Sequence, residues 1–284
     1  MAKRRRSTTA LLALGVAALM ASGCGSGGNK LDVSTVLPKT YAATVATKTA
    51  DVSFNLAVTG GSTGSKVTGQ GNGAFDFAAK RGSIKLTVGI PSAGQVSINE
   101  VLANGVAYIQ LPQQLQGAVG GKKWIGLSTS DFTGGASSSG VDPSQALSLL
   151  ESHAQDVTKV GPENVDGVST THYRAQLDPR QVVANASPAV QRLLEREGTS
   201  LNGHLIPVDL WVDAQGRARR ISETVTLTQA PGGQSTLPAS LYPITTMLTL
   251  DFSNFGTPVN VSAPPASEVS NIPLSQLLSP SSGG

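Results

Sequence analysis

Alternation of apolar and polar positions runs through most of the chain. In DVSFNLAV (51–58), Val52, Phe54, Leu56 and Val58 share one face, with Asp51, Ser53 and Asn55 opposite. That period of two predicts a half-buried strand. GGSTGS (60–65) reads as a turn and KVTGQGNGAFDFAA (66–79) as the returning strand, with Phe75 and Phe77 two positions apart. GSIKLTVGI (82–90) alternates again through Ile84, Leu86, Val88 and Ile90, and 95–102, 106–112 and 122–128 continue the series. Short strands parted by Gly and Pro turns predict an antiparallel sheet.

Helical spacing breaks in at three places. Residues 32–48 predict a short helix after Pro38. DPSQALSLLESHAQDV (142–157) opens with Asp142 as N-cap and Pro143 at the first helical position, and carries a stripe of Ala146, Leu147, Leu149 and Leu150. DPRQVVANASPAVQRLLEREG (178–198) repeats the Asp-Pro opening and ends at Gly198, with Pro188 dividing it in two. Strands return at 168–177, 205–213, 217–229 and 245–255. The order is helix, many strands, helix, strand, helix, strands, with no βαβ alternation, which excludes a parallel nucleotide-binding sheet. The expected class is α+β: one twisted antiparallel sheet with helices against one face.

The N-terminus departs from this pattern. Lys3, Arg4, Arg5 and Arg6 precede the uncharged ALLALGVAALM (10–20), followed by Ala21, Ser22, Gly23 and Cys24, the single cysteine. A basic start, a short apolar run and small residues predict a secretory signal peptide over 1–23. The apolar run is too short for a membrane span, which needs about 20 residues. Small residues ending on cysteine resemble the bacterial lipobox, with Ala21 where that motif prefers Leu. Cys24 is therefore the predicted lipidation site, and 24–31 a flexible tether. One acyl chain holds a protein only marginally, whereas two or three hold it stably. The chain has 21 basic residues against 18 acidic; without the four in the signal, 17 remain, and the net charge falls from +3 to about −1. The apparent basicity leaves with the signal, and nucleic-acid binding loses its support.

Few motifs carry chemistry. Gly60-Gly61-Ser62-Thr63-Gly64 matches the nucleophile pattern G-x-S-x-G, but that motif needs a strand running into a helix, and here strand meets strand. A hydrolase reading rests on Ser62 alone. Gly69-Gln70-Gly71-Asn72-Gly73-Ala74 matches G-x-G-x-x-A, yet a strand follows where a phosphate-binding helix must start. Three glycines on one face instead mark a place where the sheet bends or something large approaches. His153, His172 and His204 lack metal-ligand spacing. Asp209 and Asp213 flank Trp211 as a carboxylate pair facing solvent, and Arg217, Arg219 and Arg220 form a basic cluster after Gly216, suited to solubility or to an anionic head group.

The assembled pattern resembles the LppX/LprG-type lipoproteins of actinobacteria, which share the LolA/LolB-like fold. The carrying residues are the lipobox, VSFNLAVTG with its Gly-rich return strand, VLANGVAYIQLP, KKWIGLS before the Asp-Pro helix, VDGVSTTHYRAQLD (165–178), VDLWVDAQGRARRI (208–221) and LTLDFSNFGTPVNVSAPP (248–265). The resemblance covers roughly 32–269, leaving 270–284 as a loose tail. It implies a half-open β-barrel whose helices close a concave face over an apolar cavity. It further implies binding of an acylated lipid or lipoglycan, carried or presented at the extracytoplasmic face of the cell membrane, with a membrane transporter as partner. No enzymatic activity, cofactor or metal is expected. The candidate lining residues are Phe54, Leu56, Val58, Phe75, Phe77, Ile84, Leu86, Val88, Val208, Leu210, Val225 and Leu227. The alternative is a cell-envelope sensor or partner-binding lipoprotein with the same fold and no lipid carriage.

Overall fold

Two tight turns show how the strands are returned. Asn104 (φ 55) and Gly105 (φ 74) connect β4 (Gly94–Ala103) to β5 (Val106–Gln110), and Asp166 (φ 50) and Gly167 (φ 83) connect β7 (Ala154–Val165) to β8 (Val168–Leu177). Two successive left-handed residues match the twist of the strands they join, and Asn-Gly and Asp-Gly supply them at least strain. The computed structural model describes residues 33–61, 64–90, 94–129, 142–184, 199–200, 205–229 and 239–271. The expected signal peptide, Cys24, Ser62, His204 and the break at Pro188 lie outside them.

The remaining strands are β1 (Thr49–Gly60), β2 (Ser65–Asp76), β3 (Arg81–Ile90), β6 (Trp124–Ser128), β9 (Thr199–Ser200), β10 (Ile206–Asp213), β11 (Ala218–Gln229), β12 (Ile244–Ser253) and β13 (Val269–Asn271). They join in the order β13-β6-β5-β4-β3-β2-β1-β12-β11-β10-β8-β7, with β9 beside β11. All these pairs are antiparallel except β13 with β6. The sheet is open: β13 and β7 are its two edges and do not meet. It is two meanders, β1 to β6 and β7 to β12, joined where β1 pairs with β12 from Asp51↔Ser253 to Gly60↔Ile244. The expected α+β class with one twisted antiparallel sheet is what the structure shows.

Helices cover one end of one sheet face. α1 (Val36–Val45) carries Pro38 in its first turn, where the missing N–H has no intrahelical acceptor to lose. Val36, Thr40 and Thr44, spaced by four, form its buried stripe. α2 (Gln113–Gln116) is a single turn. α3 (Pro143–His153) starts as expected, with Asp142 accepting from the Ser144 amide at 2.9 Å, and buries Leu147 and Leu150. α4 (Pro179–Ala184) follows Asp178, which accepts from the Arg180 amide at 2.9 Å. The core beneath α1 and α3 gathers Val52, Phe54, Phe75, Phe77, Ile84, Leu210, Leu250 and Phe252.

Two expectations are corrected. The helix predicted to run to Val157 stops at His153, because Ala154 is already extended (φ −78, ψ 140) and opens β7. That strand escaped the sequence reading because it is an edge strand facing solvent, with Asp156 at φ 53 and register shifts between Gln155/Thr158 and Lys159/Gly161. Bulges of this kind erase a period of two. At the other edge, Ser270 and Asn271 belong to β13 rather than to a loose tail, and Lys123 Nζ donates to Glu268 Oε1 at 2.6 Å just before it.

Candidate functional site, the inner sheet face

The inner face, on which α1 and α3 pack, is mostly apolar along β1, β3, β4, β10, β11 and β12, and its burial is graded. Of the twelve lining candidates, Phe54, Phe75, Phe77, Ile84, Val208 and Leu210 are each less than 9% exposed and belong to the closed core. Leu56, Val58, Leu86, Val88, Val225 and Leu227 are half-buried. These six share the inner face on β1, β3 and β11, with residues of β2 and β12 between them. Leu56 stands opposite Leu248 and Gly69, Leu86 opposite Gly71 and Ile98, and Val88 opposite Gly69 and Val96. Val58 and Val225 both face Thr246, and Leu227 faces Ile244. The chain therefore builds a largely apolar face, with Thr246 between Val58 and Val225, and closes only part of it.

The glycines of β2 set the thickness of this face. A Cβ on Gly71 would stand 2.2 Å from Phe54 Cε1, so the phenyl ring lies where a side chain would otherwise project. On Gly73 it would meet the Ser83 carbonyl oxygen at 1.9 Å. A Cβ on Gly69 would find Leu56 Cβ at 3.4 Å and Leu86 Cδ1 at 3.5 Å, ordinary contact distances. The G-x-G-x-x-A match thus lies inside a strand and thins it, as the period of two implied.

Two acids interrupt the apolar surface, and sequence reasoning passed over both. Glu100 lies on β4 two positions from Ile98 and Leu102, between Ile84 of β3 and Ile109 of β5. Its Oε1 is buried with no hydrogen-bond partner, and burial pushes its carboxyl up to about 7. Glu223 lies on β11 between Val208 and Leu248, and burial raises its carboxyl too. The signal was legible: Ile-x-Glu-x-Leu and Ile-x-Glu-x-Val each put a charge on the apolar face of a strand.

The polar groups singled out from sequence lie elsewhere and are engaged. His172 Nε2 is 2.7 Å from Asp209 Oδ1 and its Nδ1 is 3.2 Å from Glu163 Oε2. Trp211 stacks on its ring at 4.4 Å and donates from Nε1 to the same Glu163 oxygen at 2.8 Å. Arg174 donates to both oxygens of Asp209. Asp213 does not join Asp209 as a carboxylate pair facing solvent. It accepts from the Gln215 and Arg217 amides and from Arg217 Nε, closing the turn before β11. The basic cluster is likewise spent within the fold: Arg217 and Arg219 lie over the Phe255 ring at 4.5 and 5.2 Å, and Arg220 pairs with Asp251 and Asp166. Two surface grooves of about 650 and 590 Å³ flank α3 and contain none of the twelve lining candidates.

Among solved structures the chain is similar to the lipoprotein LppX of Mycobacterium tuberculosis, at 15% identity and a TM-score of 0.46, covering 81% of this chain and 98% of that one. It is similar to LprF of Mycobacterium bovis, at 15% identity and a TM-score of 0.40, covering 82% and 96%. It is also similar to a LolA superfamily protein of Nitrosomonas europaea, at 9% identity and a TM-score of 0.31, covering 84% and 96%. LppX, whose family the sequence patterns resemble, is thus among them. No family model matches the chain, and no curated protein matches it.

Proposed function

We propose that the chain is a membrane-anchored lipoprotein that holds the acyl chains of a lipid or lipoglycan against the half-buried end of its inner sheet face. It carries or presents that ligand at the extracytoplasmic face of the cell membrane. The observation that carries this reading is the inner-face set Leu56, Val58, Leu86, Val88, Val225 and Leu227, apolar and only half-buried, with Leu86 packed against the core. Covering apolar surface is favourable by about 25 cal/mol per Å², so an acyl chain laid there gains affinity from area alone. The glycines at Gly69 and Gly71 let Phe54, Leu56 and Leu86 lean over β2, so this apolar surface runs across the thin strand. The anchor rests on the basic, apolar and small-residue run ending at Cys24. The reading assigns no catalytic role to Ser62 or His172.

Native mass spectrometry of the protein purified from its own host tests the reading. The expected result is a non-covalent adduct with the mass of an acylated lipid, released by organic extraction. Protein that carries no such mass and takes up no fluorescent acyl probe overturns lipid carriage, and the cell-envelope sensor or partner-binding reading then takes its place.

A further inference from the structure

The lipid-facing surface is not uniformly apolar, and its exceptions share one sign. On β4 the inner face reads Val96, Ile98, Glu100, Leu102; on β11 it reads Ile221, Glu223, Val225, Leu227. Each acid has apolar residues beside it on both flanking strands: Ile84 and Ile109 for Glu100, Val208 and Leu248 for Glu223. Neither forms an ion pair among the described residues, and Glu100 Oε1 is buried without any partner. The cations nearest in sequence on β11 are committed, Arg219 over the Phe255 ring and Arg220 to Asp251. An unpartnered carboxyl on a packing face is costly, and apolar residues there would serve a solid core better.

We propose that Glu100 and Glu223 are the polar contacts of the lipid site and select ligands whose buried polar groups are uncharged acyl esters or hydroxyls, against free fatty acids and phosphate-bearing lipids. This rests on the lipid-binding reading above. A protonated carboxyl donates one hydrogen bond and accepts others, which suits an ester carbonyl or a hydroxyl. Burial raises both groups and brings Glu100 to about 7, so a neutral form is at hand near neutral pH. An anionic group laid beside either acid would meet a like charge, and both partners would lose water without compensation. Discrimination therefore comes from repulsion as much as from attraction.

The test measures binding to the delipidated full-length protein near neutral pH of three fluorescent probes with one acyl chain length: a diacylglycerol, a free fatty acid and an alkylammonium. Wild type is expected to bind the diacylglycerol and the ammonium about tenfold or more tighter than the fatty acid. The variant carrying Glu100→Gln and Glu223→Gln keeps size and hydrogen-bonding capacity. It is expected to gain fatty-acid affinity and lose ammonium affinity until all three lie within about threefold. Equal wild-type affinities for fatty acid and diacylglycerol overturn the proposal and leave the lipid site standing; this comparison needs no variant to fold. A probe order unchanged in the double variant also overturns it. Binding of none of the three overturns the lipid-site reading, and this inference with it.

Discussion

Thr44 of α1 accepts a hydrogen bond from the Ala218 amide at the start of β11, at 2.9 Å, while its own hydroxyl donates to the Thr40 carbonyl at 2.7 Å. Thr44 and Ala218 are both fully buried. One hydroxyl thus satisfies a buried strand amide and fixes where the helix sits on the sheet. Thr44→Val keeps the shape and leaves the amide unpaired. It is expected to lower unfolding free energy by ~1–3 kcal/mol in urea titrations, with Thr44→Ser close to wild type.

The glycines of β2 give a graded series. Gly69→Ala is expected to be tolerated, because its Cβ meets Leu56 at 3.4 Å. Gly71→Ala collides with the Phe54 ring and is expected to cost about 1–3 kcal/mol, part of it recovered by Phe54→Leu. Gly73→Ala meets backbone, the Ser83 carbonyl, and is expected to be the worst. Thermal melting of the three single variants and the Gly71→Ala, Phe54→Leu double variant checks the order.

Much of this fold was legible because most strands are half-buried. Val52, Phe54 and Leu56, or Ile84, Leu86 and Val88, announce a period of two and the face that packs. The same signal could not separate Phe54 from Val58. Both are apolar and inward, and only the length and placement of α1 and α3 decide that one is sealed and the other half-buried. Strand β7 escaped because solvent faces it and bulges break its phase. The engagement of Asp213 with Arg217 was hidden for another reason: it is turn geometry rather than strand geometry.

Glu100 gives the fold a pH dependence of known sign. Its carboxyl lies at about 7 in the folded protein against 4.5 ordinarily, so between those values the folded state holds a proton that the unfolded chain has released. The stability from this residue is full below about 4.5 and is lost as pH rises through about 7, by on the order of 3 kcal/mol. Glu100→Gln is expected to flatten this slope and to be more stable than wild type above pH 7, as read from urea midpoints across the range.

Closed and half-closed positions should respond oppositely to a larger side chain. Leu210 is 2% exposed, and Leu210→Trp is expected to overpack the core and cost about 1–3 kcal/mol. Leu86 is half-buried, and Leu86→Trp is expected to keep near-wild-type melting while excluding lipid. A Leu86→Trp variant that melts normally and still takes up an acyl probe would sink the placement of the ligand on this surface.

Anchoring through Cys24 is checked by fractionation. Cys24→Ser is expected to move the protein from the membrane fraction to the soluble or unprocessed one and out of the detergent phase. Unchanged partitioning would refute lipidation at this residue.

The seam between β1 and β12 also sets a clock. Asp51 finds its partner at Ser253, and Glu268 and Val269 return to Lys123 and Trp124, so both closures wait for the last part of the chain. Contacts so distant in sequence make assembly slow. The first meander can form early, but until β12 arrives β1 is a bare edge of twelve residues, open to pairing with another chain. The vulnerable species in this protein's life is therefore a half-made one, exposed from the completion of β2 until residue 253 is available. During that interval anything that holds the β1 edge, a chaperone or a second nascent copy, decides between a monomer and an aggregate.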